Sequence, residues 1–443
     1  MMDSHISVVI PAWNGRAHLP ACLEALLASG PADLEVVVVD NASTDGSADL
    51  VAERYPQVQL IRNPRNLGFS GGCNAGLRAA RGDPLVLLNQ DVIVRPGWPA
   101  AFAAAFANGR VGIVGAKLLG PDGRTLMHAG AGLEWPLALG RHVGVGEVDE
   151  GQYDQPAEAD YVTGAFLAVR RAALDEIGLL DERFYPAFYE DIDLCWRARR
   201  AGWQVRYEPQ AAALHDEASS TRHHWLSRHY YHYRNRLLFV LKHFSPAQIL
   251  EQFLPAERAR IPTLPPEERR AGHVALAEVL ALWPAMAREI SAADAERLAD
   301  ALRALREQIV CLQGGDPALV APRPASGPLA APDGALAAEL LGLWEIAEPA
   351  FTSRLPMVGR WVAAFRSAWN AVATKWYVRP MLSQQVQFNG AVVRALLQLH
   401  DHYWDSDALL ALLAERCGRA DARIAELEER LARIEAQEGR HGR

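Results

Sequence analysis

Three acids crowd into four positions of the segment FYPAFYEDIDLCWRARRAGW (184–203): Glu190, Asp191 and Asp193. A carboxylate facing a cleft can take a proton from a substrate hydroxyl. The same acids would also complement the positive end of a helix. If residues 189–201 form a helix, each residue turns about 100°, which sets Asp191 and Asp193 about 200° apart. They cannot easily serve one site. Asp193 is placed to pair with Arg197 at i,i+4, which leaves Asp191 to face elsewhere. A second acid, Asp91, ends LLNQD (87–91) and could hold a divalent cation together with a diphosphate, since hard cations take carboxylate and phosphate oxygens. Asp40, ending VVVVD (36–40), could accept hydrogen bonds from a base N–H or a ribose hydroxyl, or close an Asx turn. His215, in ALHDEASS (213–220), could ligate a metal through a neutral ring nitrogen, or serve as a surface or capping residue. NPRNLGFSGGCNAGL (63–77) is rich in glycine and asparagine and then becomes helical; its glycines would let backbone approach a ligand and its helix N-terminus would favour an anion. The spacing is neither GxGxxG nor GxxxxGK[ST], so a Rossmann dehydrogenase or P-loop NTPase is not indicated.

The elements that must position these residues alternate along the first 240 residues. Short apolar runs read as strands at 6–10, 34–39, 58–61, 84–88 and 111–115, and WQVRYEP (203–209) as another. Helical spacing follows at Leu19, Cys22, Leu23, Leu26 and Leu27, after Asp45-Gly46, and over 70–81 and 97–108. Continuous apolar strands separated by helices predict a mostly parallel sheet covered on both faces. Ligands in such sheets bind at the carboxyl ends of strands, which singles out Pro11 to Asn14, Asp40, and Asn89, Gln90 and Asp91.

The composition fits this reading. The chain has 443 residues, half of them hydrophobic and 22% charged, enough for two or three domains. A net charge of −8 argues against nonspecific nucleic-acid binding as the main task. Five scattered cysteines, with no CxxC pair, point away from a disulfide framework or zinc site and toward a reducing cytosol. MMDSHISVVIPAW lacks the basic flank and long apolar run of a signal peptide, and no stretch of about 18 apolar residues suggests a membrane span.

Together, Pro11, Asp40, Asn66-Leu67-Gly68, Asn89-Gln90-Asp91, Glu190-Asp191-x-Asp193-Leu194 with Arg197, and His215 fall in an order that resembles a family 2 glycosyltransferase with a GT-A fold, of the bacterial rhamnosyltransferase-like kind. The resemblance covers about residues 5–243. It implies inverting transfer from a nucleotide-diphosphate sugar to a hydroxyl of a surface glycan of O-antigen type or its lipid-linked form. Pro11, Ala12, Asn14, Asp40, Asn66, Gly68, Gly71, Asn74, Asn89 and Gln90 would line the donor site. Asp91 and His215 would hold Mg²⁺ or Mn²⁺, and Asp191 would be the general base, with Glu190, Asp193, Trp196 and Arg197 in support. One departure matters: Asn89 stands where the family's DxD motif has its first acid, so the ion should bind weakly without donor. A catalytically silent nucleotide-sugar-binding scaffold is the alternative. A sugar nucleotidyltransferase would need a glycine-rich basic loop where this chain reads PAWNGRAH (11–18).

The chain divides in sequence into a GT-A domain (1–245), a helical extension (246–315), a Pro/Ala-rich linker (316–336), a helical region (337–412), a short coiled coil (413–438) and a tail (439–443). Ser291 is an expected N-cap, and the prolines of TLPPEERRAG (263–272) an expected helix start. The run HHWLSRHYYHYRNRLLF (223–239) reads as a packing helix whose Arg222, Arg228, Arg234 and Arg236 could contact phosphates. In 353–385, Trp361, Phe365, Trp369 and Trp376 with Arg360, Arg366 and Lys375 suggest either a packed helix or one lying on the inner membrane face. Ile424, Leu427, Leu431 and Ile434 form a short heptad seam through which the chain could self-associate.

Overall fold

The computed structural model describes residues 5–216, 225–287 and 290–312, all within one of the two compact units into which the chain divides. The linker, the aromatic and basic segment 353–385 and the heptad seam lie outside the described residues, as does Arg222.

The apolar runs become a ten-stranded sheet. β1 (Ser7–Ala12), β2 (Glu35–Asp40), β3 (Gln59–Arg62) and β4 (Leu85–Leu88) are parallel neighbours in the order β3-β2-β1-β4. β1, β2 and β4 are buried along their whole length, as β-branched and leucine runs must be when both sheet faces are covered. Next comes β11 (Phe166–Val169), antiparallel to both β4 and β6 (Val111–Leu119). β12 (Gln204–His215) then runs parallel to β6, carries the edge strand β10 (Ala157–Glu158), and pairs near its end with β5 (Val92–Val94). β7 (Leu126–His128) adds to β6, and β8 (Ala131–Glu134) and β9 (Leu139–His142) form a separate hairpin. The sheet is thus mixed and mostly parallel in its first half, the class expected from the sequence.

Helices cover both faces. α1 (Leu19–Ser29), α2 (Ser47–Arg54) and α4 (Trp98–Phe106) contribute Leu19, Leu23, Val51, Trp98 and Phe102 to a core with Val8, Ile10, Val38, Val86 and Phe166. Trp98, Phe102 and Phe166 meet edge to face, a favoured arrangement for aromatic rings. α3 (Gly68–Ala79) lies on the other face, with Gly76 against Val9 and Val39. After the short α5 (Arg171–Ile177), α6 (Glu190–Arg200) carries the three acids and packs on β6 and β12.

Beyond the sheet, the helix Trp225–His243 packs against Pro266–Met286, which in turn meets Ala292–Leu312. Ser245 caps the next helical run through a capping box with Gln248. The Pro266 start matches the sequence reading, and so does Ser291, whose hydroxyl accepts from the Asp294 amide (3.1 Å). Two arginines of the helix Trp225–His243, Arg234 and Arg236, do not follow their expectation. Arg236 is buried on Glu257 and the Leu137 carbonyl. Arg234 donates to the Arg183 and Tyr185 carbonyls and pairs with Glu278. A buried guanidinium needs internal partners, so both serve packing instead of phosphate binding. No described helix is long and apolar enough to cross a membrane.

Candidate active site

The carboxyl ends of β1, β2 and β4 are laced together. Asn14, in a left-handed conformation (φ 50°), takes the Thr44 amide on its side-chain oxygen (2.9 Å), and its own amide donates to the Ser43 hydroxyl (2.9 Å). Asp40 is 4% exposed at the end of β2 and receives long bonds from the Ser43 amide, 3.3 and 3.4 Å. The Asx-turn reading is therefore partly realised, but bonds this long leave the carboxylate acceptor capacity. Gln90 closes the third side. Its oxygen accepts from the Trp13 amide (3.0 Å) and its nitrogen donates to the Trp13 carbonyl (3.2 Å). Gly15 passes beneath that amide, where a Cβ would collide. Gln90 thus holds two loops in register.

The glycine-rich segment is tied to the chain around it. Gly68 (φ 71°) makes room for the Pro186 backbone, and the Phe69 amide at the start of α3 donates to the Pro186 carbonyl (2.7 Å). Gly71 clears the Leu67 side chain. Asn74 is 1% exposed, donates to the Leu180 carbonyl and Glu182 (both 2.9 Å), and accepts from the Leu180 amide (3.1 Å). Asn66 accepts from the Gly68 amide (2.8 Å), shaping the same turn. These residues fasten α3 to the chain. Asn41, missed in the sequence, belongs with them: it donates to the Gly68 carbonyl (3.0 Å) and accepts from Asn63 (2.8 Å).

After β4, Asp91 turns toward the end of β12. The Nε2 of His215 lies 3.4 Å from Asp91 Oδ1, and both residues are buried. The β5–β12 pairing sets this, since His215 opposes Val92. A carboxylate oxygen and an imidazole nitrogen side by side form a donor pair that suits a divalent cation. Among the described residues no third His, Cys, Asp or Glu joins them. Asn89 adds a buried side-chain oxygen with no hydrogen-bond partner among the described residues.

The three acids of α6 separate as the helical angle requires. Asp193, fully buried, is bonded by Arg197 (2.8 Å), Lys242 (2.5 Å) and His243 (2.7 Å). Burial alone would raise its pKa, but these partners hold it below the ordinary aspartate value. Arg197 also donates to the Ile177, Gly178 and Leu179 carbonyls, and Trp196 packs on Phe239 and Phe244. All three are structural. Glu190 is 5% exposed with one oxygen unpartnered, and burial, with Asp191 and Asp193 nearby, pushes its pKa well above the ordinary glutamate value. Asp191 is half-buried. Its Oδ2 accepts from the Gly164 amide (3.0 Å) and its Oδ1 from the Ile192 amide (2.8 Å). Burial raises its pKa, while the two amides and His142 counter the rise.

One turn joins the two halves of the site. The Gly164 amide holds Asp191, and the next residue, Ala165, takes the Asn89 amide on its carbonyl (2.9 Å). The base candidate and the Asn89–Asp91 loop are therefore anchored to consecutive residues. The Glycosyl transferase family 2 model matches residues 7–178. An N-acetylglucosaminyl-diphospho-decaprenol L-rhamnosyltransferase of Mycobacterium tuberculosis is 30% identical over 271 residues, 55% of this chain and 86% of that protein. The chain belongs to glycosyl transferase family 2. An uncharacterized protein of Sinorhizobium fredii is 31% identical to this family 2 chain over 237 residues, 49% of the chain but 25% of that longer protein. Among solved structures, a mannosyltransferase from Pyrobaculum calidifontis in complex with GDP-Man and Mn²⁺ is 19% identical, covering 70% of the family 2 chain and 86% of that one at a TM-score of 0.41. The family match ends at residue 178, before Asp191 and His215, so the parts of those two residues rest on geometry.

Proposed function

We propose that this chain is an inverting glycosyltransferase that moves a rhamnose-like sugar from a nucleotide-diphosphate donor to a hydroxyl of a growing surface glycan. The observation that carries this is the Gly164–Ala165 turn, which anchors Asp191 and the Asn89–Asp91 loop side by side. Asp40 and the loop holding Asn14 would receive the nucleoside, with Asn89 Oδ1 accepting from a ribose hydroxyl. Asp91 and His215 would hold Mg²⁺ or Mn²⁺, which when bound neutralises the leaving diphosphate. Asp191 accepts the proton of the acceptor hydroxyl as its oxygen attacks the anomeric carbon. Two backbone amides fix the orientation of that carboxylate before substrate arrives. The name of the mycobacterial relative supports a rhamnosyl donor and a polyprenyl-diphosphate-linked acceptor, which would place the chain in the cytoplasm at the inner membrane face.

The test is single-turnover transfer with a panel of dTDP-, UDP- and GDP-sugars, comparing wild type with Asp191→Asn. The amide keeps the shape and cannot accept the proton, so kcat should fall about 10²- to 10⁴-fold with donor affinity unchanged. Equal rates in the two proteins would remove Asp191 as base.

A further inference from the structure

Phe69 lies in the glycine-rich segment, and its ring reaches the backbone that holds Asp191. Gly164, buried in the turn before β11, has no side chain where that ring lies. A Cβ added there would meet Phe69 Cε1 at 3.1 Å and Cζ at 3.2 Å, tighter than ordinary van der Waals contact, and Asp191 Cβ at 3.6 Å. The ring and the aspartate therefore flank one point. The amide of the same glycine donates to Asp191 Oδ2 (3.0 Å). Glycine is needed here because it lets an aromatic edge close on the main chain beside the carboxylate.

The main chain at Phe69 is fixed from two sides. Its amide donates to the Pro186 carbonyl (2.7 Å), in the stretch that leads into α6. The preceding carbonyl, that of Gly68, accepts from Asn41 (3.0 Å), the residue after Asp40. The start of α3 thus joins the end of β2 to the approach to α6. The Asn89 amide on the Ala165 carbonyl brings the Asn89–Asp91 loop to the same turn. A sugar held between Asp40, Asp91 and Asp191 would pass this ring. Phe69 and Asp191 are both half-buried, so each keeps an open side. An aromatic hydrocarbon ring gives water no hydrogen bond, and its contact with water is readily exchanged for contact with other apolar groups. In transfer, the acceptor oxygen gives its proton to the carboxylate and bonds to the anomeric carbon, and the bond from that carbon to the diphosphate breaks. Water in the acceptor's place undergoes the same step and leaves free sugar and nucleoside diphosphate. A carboxylate base does not by itself tell the two hydroxyls apart; a closed site that excludes water does.

We propose that Phe69 is a specificity-determining residue that favours the acceptor over water: its ring is the apolar wall beside Asp191 that keeps water from the base while donor is bound. The proposal rests on the reading of Asp191 as base, and its test is separable from that reading.

The experiment measures release of free sugar from labelled dTDP-, UDP- and GDP-sugars by the full chain, with no acceptor present. Phe69→Ala opens the wall, and hydrolysis of the accepted donor should rise about tenfold, the order of discrimination that one apolar contact supplies. A gain of this kind separates the proposal from a packing role, since a loosened fold would only lower the rate. Phe69→Leu refills the space with apolar carbon and returns hydrolysis toward wild type. Phe69→Gln, which a half-exposed position tolerates, should behave as Phe69→Ala and keeps the test open if that variant fails to fold. Folded Phe69→Ala or Phe69→Gln that hydrolyses donor no faster than wild type overturns the proposal, as does Phe69→Leu that hydrolyses as fast as Phe69→Ala. Adding Asp191→Asn to Phe69→Ala should abolish the gain. A gain that survives in the double variant would instead overturn the base assignment and leave the wall standing.

Discussion

Glu190 and Asp191 are adjacent in sequence but face different surroundings, and the proposed mechanism gives them different parts. Glu190 is buried with an unpartnered oxygen, and burial pushes it toward its neutral form; Asp191 has two amide donors and a histidine that favour its charged form. Pairs of carboxyls pushed apart in this way commonly divide acid and base work. Glu190→Gln replaces one neutral group with another, so the transfer rate should fall less than about tenfold. The acidic limb of kcat/KM should lie above the ordinary aspartate range, because burial raises the Asp191 pKa and the base acts when deprotonated. A limb in the ordinary range, unmoved in Asp191→Glu, would mean that another group titrates. Asn89 makes the second prediction at this scale. Its oxygen is a hydrogen-bond acceptor without charge, so the Asp91–His215 pair offers a cation one negative charge. Calorimetric titration with Mn²⁺ should show tight binding only with sugar nucleotide present. Asn89→Asp adds a carboxylate and should give measurable binding to the free protein.

The turn leading into α6 shows how an element serves a single side chain. Phe188 and Tyr189 both have positive φ, 79° and 73°. Such conformations cost roughly 1–3 kcal/mol each for residues other than glycine. Asn235, 0% exposed, offsets this by donating to the Phe184, Ala187 and Phe188 carbonyls at 2.9–3.1 Å. Asn235→Ala should leave those carbonyls unsatisfied, lower stability by about 2–3 kcal/mol and reduce kcat more than donor affinity. Urea unfolding and steady-state kinetics check both; a loss of stability with kcat intact would disconnect the turn from catalysis. The sequence displayed the strands well because β1, β2, β4 and β6 are apolar on both faces. It did not display Asn235, which is one polar residue in an aromatic helix. Nor did it display β8 and β9, whose AGLE and LGRH are short and not alternating. The acids were legible because the angular step of a helix separates them. The partners of Asn74, Gly68 and Gln90 were not, since those depend on contacts across more than 70 residues, as with Gln90 and Trp13, or Asn74 and Leu180.

At the scale of the molecule, the helices after residue 245 reach back to the β8–β9 hairpin. Arg236 and Glu257 are paired at 2.6 Å with side chains 1% and 0% exposed, and Arg260 and Tyr233 add bonds to the same carboxylate (2.9 and 2.6 Å). Arg236 also donates to the Leu137 carbonyl (2.8 Å) in the turn between β8 and β9, and Trp135 of that turn donates to Gln252 (2.9 Å). Ala138, next to Leu137 at the turn's end, accepts the Tyr189 hydroxyl on its carbonyl, so the brace continues to the start of α6. A boundary at 245, natural from composition, would cut through this set of contacts. Removing one member of a buried pair leaves an uncompensated charge and costs about 3–5 kcal/mol. The fragment 1–245 should therefore unfold or aggregate, while 1–312 stays soluble with one cooperative transition. Replacing the stranded guanidinium, Arg236→Met in 1–245, should recover part of the lost stability, since an apolar side chain needs no counter-charge. A fragment 1–245 as stable as 1–312 by thermal melting would show that the sheet domain does not need these helices.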